Sequence, residues 1–129
     1  MFSMDGGEHW TGSEPSWFTG PCSPLSVKRL PDGRLVSFWN PAPLYNGADE
    51  NPGPSWNGGR TPFVCAVSSD EGESWSKPRI IDNDPTAGYC YTAIHMLEDG
   101  LLIGYCGGLP EDKGCLNRLV IRKIRYEEL

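Results

Sequence analysis

Two carboxylates recur in one fixed setting, and carboxylates at fixed spacing are the first candidates for acid–base chemistry. Asp5 lies in Ser3-Met4-Asp5-Gly6-Gly7-Glu8-His9-Trp10 and Asp70 in Ser68-Ser69-Asp70-Glu71-Gly72-Glu73-Ser74-Trp75, so both stretches read S-x-D-x-G-x-x-W, 65 residues apart. A turn accounts for each fixed position. The Asp carboxylate accepts backbone N–H bonds, the Gly takes a left-handed position, and the Trp folds back onto the hairpin as an apolar plug. Ser3, Asp5, Gly7 and Trp10, like Ser68, Asp70, Gly72 and Trp75, are therefore read as structural. Asp5 and Asp70 are turn staples, not catalytic acids, and Glu71 and Glu73 are solvated.

Other side chains have suitable chemistry. Arg60 follows Gly58-Gly59; a guanidinium forks two N–H bonds onto a carboxylate and stays charged at any working pH. From its neighbours alone it reads equally as a solvated loop charge. Tyr89 and Tyr91 offer phenols that are nucleophilic only beside a base, because tyrosine titrates at about 10. Alternation along a strand puts both rings on one face; the bland reading is a core or rim aromatic. Trp39, Trp56 and Tyr45 could stack on a sugar ring or plug loops. His95, on an alternating strand, is expected to be half-buried and hydrogen-bonded, and His9 exposed. The two histidines are far apart, no acidic cluster has calcium-loop spacing and no C-x-x-C occurs, so neither metal nor cofactor is expected.

The elements that must position these residues show in a second repeat. Leu30-Pro31-Asp32-Gly33-Arg34-Leu35 and Leu97-Glu98-Asp99-Gly100-Leu101-Leu102 both read L-x-D-G-x-L, 67 residues apart. Asp-Gly between apolar runs marks a hairpin, with Gly33 and Gly100 expected to supply positive φ. Strands are predicted at 25–30 and 34–39, 62–68 and 75–81, 91–97 and 101–106, and 116–124. Four short antiparallel strands per unit of about 65 residues read as a propeller blade. The chain is thus predicted to be all-β, one partial propeller over 1–129 with repeats at about 3–67 and 68–129. Asn40 to Gly59, rich in Pro, Gly and Asn, is a loop of the length that is functional or disordered.

Composition excludes several classes. The net charge is −6, so a basic footprint for nucleic acid is missing. No apolar run nears the roughly 20 residues of a membrane span. Gly and Pro make up 28 of 129 residues, nearly double average usage, and the aromatic content argues against disorder. Five cysteines cannot all pair within one chain, which suggests buried free thiols; Cys90 and Cys106 are expected nearly opposite each other on paired strands. Phe2-Ser3-Met4-Asp5 after Met1 has neither a basic n-region nor an apolar h-region, so no signal peptide is expected. The compartment stays open: cytoplasmic for a complete chain, secreted or periplasmic for a piece.

S-x-D-x-G-x-x-W is the Asp box, and with two copies the chain resembles the Asp-box (BNR-repeat) sialidase superfamily of six-bladed β-propellers. Phe38-Trp39-Asn40-Pro41, then Gly59-Arg60-Thr61-Pro62, the box at Ser68, and Tyr91-Thr92-Ala93-Ile94-His95-Met96-Leu97-Glu98-Asp99-Gly100 are similar to the end of a sialidase catalytic domain. The resemblance implies that Arg60 is the third arginine of the triad that binds the sialic acid carboxylate and that Tyr91 is the nucleophile, with Tyr89 the alternative. Trp39, Asn40 and Trp56 are further substrate-binding candidates. A neutral tyrosine suits a substrate whose own carboxylate would repel an anionic nucleophile. The implied activity is that of a retaining glycoside hydrolase on sialylated or related acidic glycans. No position matches the family's two other arginines, its aspartate acid or its glutamate base, so the chain is expected to be the last two blades, incomplete alone. The alternative is a non-catalytic glycan-binding or self-assembling module; three copies of two blades would complete a ring, making a homo-trimer and a carbohydrate the expected partners.

Overall fold

The structure, a computed structural model, describes residues 1–41 and 58–129. Seven strands run in order: β1 (Ser26–Arg29), β2 (Leu35–Trp39), β3 (Phe63–Ser68), β4 (Arg79–Asp82), β5 (Gly88–Met96), β6 (Gly100–Gly108) and β7 (Leu119–Arg125). β1-β2-β3-β4 form one antiparallel sheet and β5-β6-β7 a second. The all-β reading holds; the helices described are single 3-10 turns at Pro110–Asp112 and Tyr126–Glu128. No described helix is long and apolar enough to cross a membrane. The predicted strand at 75–81 starts later, at Arg79, because Trp75 belongs to the turn.

The two Asp boxes close identically. Ser68 Oγ donates to Asp70 Oδ1 (2.8 Å) and receives Gly72 N–H (2.9 Å), Ser74 N–H donates to Asp70 Oδ1 (2.9 Å), and Trp75 Nε1 donates to Gly72 O (3.2 Å). In the first box the same roles fall to Ser3, Asp5, Gly7, His9 and Trp10. These donors hold both carboxyls down at about 2: chiefly the Ser74 hydroxyl and N–H for Asp70, and the His9 N–H and ring for Asp5. The plugs differ. Trp75 packs against the cluster of Trp39, Val64 and Ala66, whereas Trp10 is 60 % exposed and plugs nothing.

The two Asp-Gly turns also differ. In the first, Leu30 N–H donates to Arg34 O (2.7 Å) and Gly33 has φ +95°. In the second, Leu97 N–H donates to Gly100 O (2.8 Å), so the loop is one residue shorter. Gly100 does not take the expected positive φ. It lies in β6, where a Cβ would stand 2.3 Å from Ile124 O, and is required for close approach of β7 instead.

That missing residue shifts the structural register between repeats by one. Leu35 pairs with Ser68 and Leu101 with Ile124, so Val36 corresponds to Leu102 and Phe38 to Gly104. The Val36, Phe38, Phe63 and Cys65 face of the first sheet packs on the Leu101, Ile103, Tyr105 and Ile124 face of the second. Phe63 is at the centre, 4.6 Å from the Tyr105 ring and 6.0 Å from Phe38. Burying each such side chain contributes about 1.5–3 kcal/mol. The second sheet's outer face carries the counterparts of the buried set: Leu102, Leu119 and Ile121 are 36 %, 69 % and 63 % exposed. His95 is on this face and exposed, not half-buried as its sequence setting suggested. Arg122 turns inward to Ile81 O and the Asp82 carboxylate.

Candidate active site

β5 is where strand alternation fails. Cys90 pairs with Cys106, but Ala93 pairs with Gly104, so β5 carries one residue more than β6 over this stretch, a β-bulge. Tyr91 occupies it with φ +56°, a conformation that costs a bulky L-residue about 1–3 kcal/mol. Tyr89 and Tyr91 therefore do not share a face, contrary to expectation. Tyr89 is 6 % exposed, in the core beside Phe63, and its hydroxyl accepts Asp84 N–H at 3.3 Å. Tyr91 is 50 % exposed.

Arg60 meets Tyr91. Its guanidinium carbon stands 5.5 Å from the centroid of the Tyr91 ring, a cation–π contact of about 0.5–1 kcal/mol where solvent reaches it. Nη1 donates to Cys115 Sγ (3.2 Å) and Nη2 to Cys22 O (3.2 Å). The Arg60 backbone is fixed independently. Its carbonyl receives Tyr89 N–H (2.8 Å) and Asn40 Nδ2 (3.1 Å), and Asn40 Nδ2 also reaches Pro62 O (3.0 Å). Thr61 Oγ1 donates to Ala87 O. The loop after the two glycines is thus pinned between the end of β2 and the start of β5.

Asn40 is 3 % exposed, and its amide holds backbone carbonyls. Trp39, also 3 % exposed, packs edge-on to Phe18 at 4.9 Å and lies 5.9 Å from Trp17. Of its two readings, the plug is the one the packing gives. Trp56 and Tyr45 lie outside the described residues. Cys115 and the Cys22 carbonyl had no signal in the sequence; no motif links Cys115 to a residue 55 positions earlier. All five cysteines are free thiols, and burial pushes Cys90 up to about 12, keeping it a neutral SH against the nearby guanidinium. Among the described residues, no carboxylate bonds the Tyr91 hydroxyl and no group of His, Cys, Asp or Glu could hold a metal.

The arrangement sets a fixed guanidinium, whose two terminal nitrogens donate to Cys115 Sγ and the Cys22 carbonyl, beside an exposed phenol. Residues 1–103 match the family model described as the BNR repeat-like domain. The chain belongs to that family. Comparison with curated proteins and with solved structures returned no match.

Proposed function

We propose that this chain is the part of a sialidase-like glycoside hydrolase that carries a carboxylate-binding arginine and the tyrosine nucleophile. The observation behind this is the meeting of Arg60 and Tyr91 across 31 residues of sequence. Arg60 takes the carboxylate of an acidic sugar in a two-pronged hydrogen bond. The Tyr91 hydroxyl then faces the adjacent anomeric carbon, and a neutral phenol approaches that anionic centre without repulsion. Turnover needs a general acid and a base to activate the phenol, and the described residues at this site supply neither. The chain alone is therefore a binder of acidic glycans that requires further residues for catalysis. N-acetylneuraminate titrated by NMR tests this: Arg60→Ala abolishes binding and Tyr91→Phe retains it. Equal binding by the Arg60→Ala variant refutes the reading. A fluorogenic sialoside assay tests turnover, expected to be negligible alone.

The exposed Leu119 and Ile121 face favours a second reading, a self-assembling glycan-binding module. Its counterpart on the first sheet is buried within the chain, so another copy's sheet could cover it in the same manner. Light scattering showing a mass of three chains, reduced to one by Ile121→Lys, supports association; a monomer at every concentration refutes it.

A further inference from the structure

Three thiols gather beside Arg60, and the glycan reading uses none of them. Cys90 lies on β5 across from Cys106 on β6, and its S–H donates to Cys115. Cys115 lies in the turn that leads from β6 to β7, and its Sγ also receives Arg60 Nη1–H at 3.2 Å. Two donors, one of them a cation, therefore converge on the Cys115 sulfur. Cys115 is also the more accessible of the bonded pair, 9 % exposed against 2 % for Cys90. Cys90 and Cys106 are both held by the strand ladder, whereas a turn such as that of Cys115 adjusts its backbone at less cost.

We propose that a hydroperoxide joins Cys90 and Cys115 in a disulfide, and that this bond withdraws the Cys115 sulfur from Arg60. The thiolate is the form of a cysteine that attacks an oxidant. Burial keeps Cys90 a neutral thiol, with a pKa pushed up to about 12, so Cys115 is the sulfur that meets the peroxide and Cys90 the slower second partner. In the first step Cys115 sulfur bonds to one peroxide oxygen, the O–O bond breaks, and the other oxygen leaves as water, giving a sulfenic acid. In the second, Cys90 sulfur displaces that oxygen, which leaves as water with the Cys90 proton. The two sulfurs are oxidised by two electrons in all and the peroxide is reduced. Arg60 Nη1 then no longer donates to a thiol sulfur. For its effect on a ligand the proposal rests on the glycan reading above: the nitrogen released from sulfur is one of the two that a sugar carboxylate needs.

The test is intact-mass analysis of the full chain before and after hydrogen peroxide, with peptide mapping of the product. A mass lower by two hydrogens is expected, reversed by dithiothreitol, with Cys90 and Cys115 in the linked peptides. Cys115→Ser and Cys90→Ser should each abolish the loss, and Cys106→Ser should retain it. Having one variant on β5 and another in the turn keeps the test meaningful if either does not fold. No loss of hydrogens, or a bond mapped to any other pair, overturns the proposal. N-acetylneuraminate should bind the oxidised chain about tenfold more tightly than the reduced one. Equal affinity with the bond formed overturns the link to Arg60. No binding in either state refutes the glycan reading and leaves the disulfide standing.

Discussion

Arg122 reaches across from the second sheet to place Nη2 2.8 Å from Asp82 Oδ1 at the end of the first. The other oxygen of Asp82 receives the Tyr105 hydroxyl, and Arg122 Nη1 donates to Ile81 O at 2.6 Å. Burial first, then this bond to Asp82, pushes the Tyr105 phenol above its ordinary range, so it stays a donor. The sheets are therefore joined by a polar clamp at the rim of an aromatic core.

Asp82→Ala should leave the Tyr105 hydroxyl unpaired and cost about 1–3 kcal/mol. Arg122→Met should cost less, because the arginine side chain is 40 % exposed and water replaces part of what it loses. A double-mutant cycle by urea denaturation should show coupling of at least about 0.5 kcal/mol. Strict additivity would mean that the clamp contributes nothing.

Both Asp-box carboxyls are depressed from an ordinary 3.8 to about 2. A group depressed in the folded state stabilises above its unfolded pKa and loses that contribution as pH falls through its folded one. The denaturation midpoint should therefore be insensitive to these groups above about pH 4 and drop between about pH 4 and 2. Asp70→Asn should lower the midpoint at neutral pH and flatten the acid limb. An acid limb identical to that of the unaltered chain would show that the turn does not depend on the charge.

The paired glycines of the two Asp-Gly turns should respond unequally to alanine. At Gly33, φ is +95° with open space around the Cβ position, so Gly33→Ala should cost about 1–2 kcal/mol of backbone strain. At Gly100 the new methyl would meet β7 backbone at 2.3 Å, and the strands must part, at about 1–3 kcal/mol or more. Thermal melts should rank Gly100→Ala below Gly33→Ala; the reverse order would contradict the close approach.

At Tyr91 the usual strand preference should invert. Within strands, glycine is about 0.5–1 kcal/mol worse than alanine. With φ at +56°, Tyr91→Gly should instead be more stable than Tyr91→Ala by about 1 kcal/mol. Both lose the ring, so their difference reports backbone strain alone. Equal or lower stability for the glycine variant would mean that the bulge relaxes.

Much of this architecture could be read from residue types. The Asp boxes, the hairpins and the antiparallel order follow from short-range turn chemistry, which acts within a few residues and leaves a local pattern. The Cys90–Cys106 pairing followed too. What stayed hidden depends on distant partners. Nothing near Tyr91 announces an extra residue in β5, so alternation placed Tyr89 and Tyr91 on one face. The role of Arg122 leaves no local pattern, because its acceptor is some 40 residues away. Gly100 sat in a motif whose usual reason for glycine was sufficient, which concealed its contact with β7. At the site, the resemblance supplied Arg60 and Tyr91 as a pair, but Cys115, the Cys22 carbonyl and the bracing role of the Asn40 amide emerge only when the chain is folded.

The single residue separating the two Asp-Gly loops has a practical result for anyone transplanting features between the halves of this molecule. A core side chain chosen on β2 and copied to β6 by superimposing the Asp-Gly letters stays inside, since Val36 then falls on Ile103 and Phe38 on Tyr105. Counted from the ladder hydrogen bonds, the same side chains fall on Leu102 and Gly104 and emerge on the reverse of the sheet.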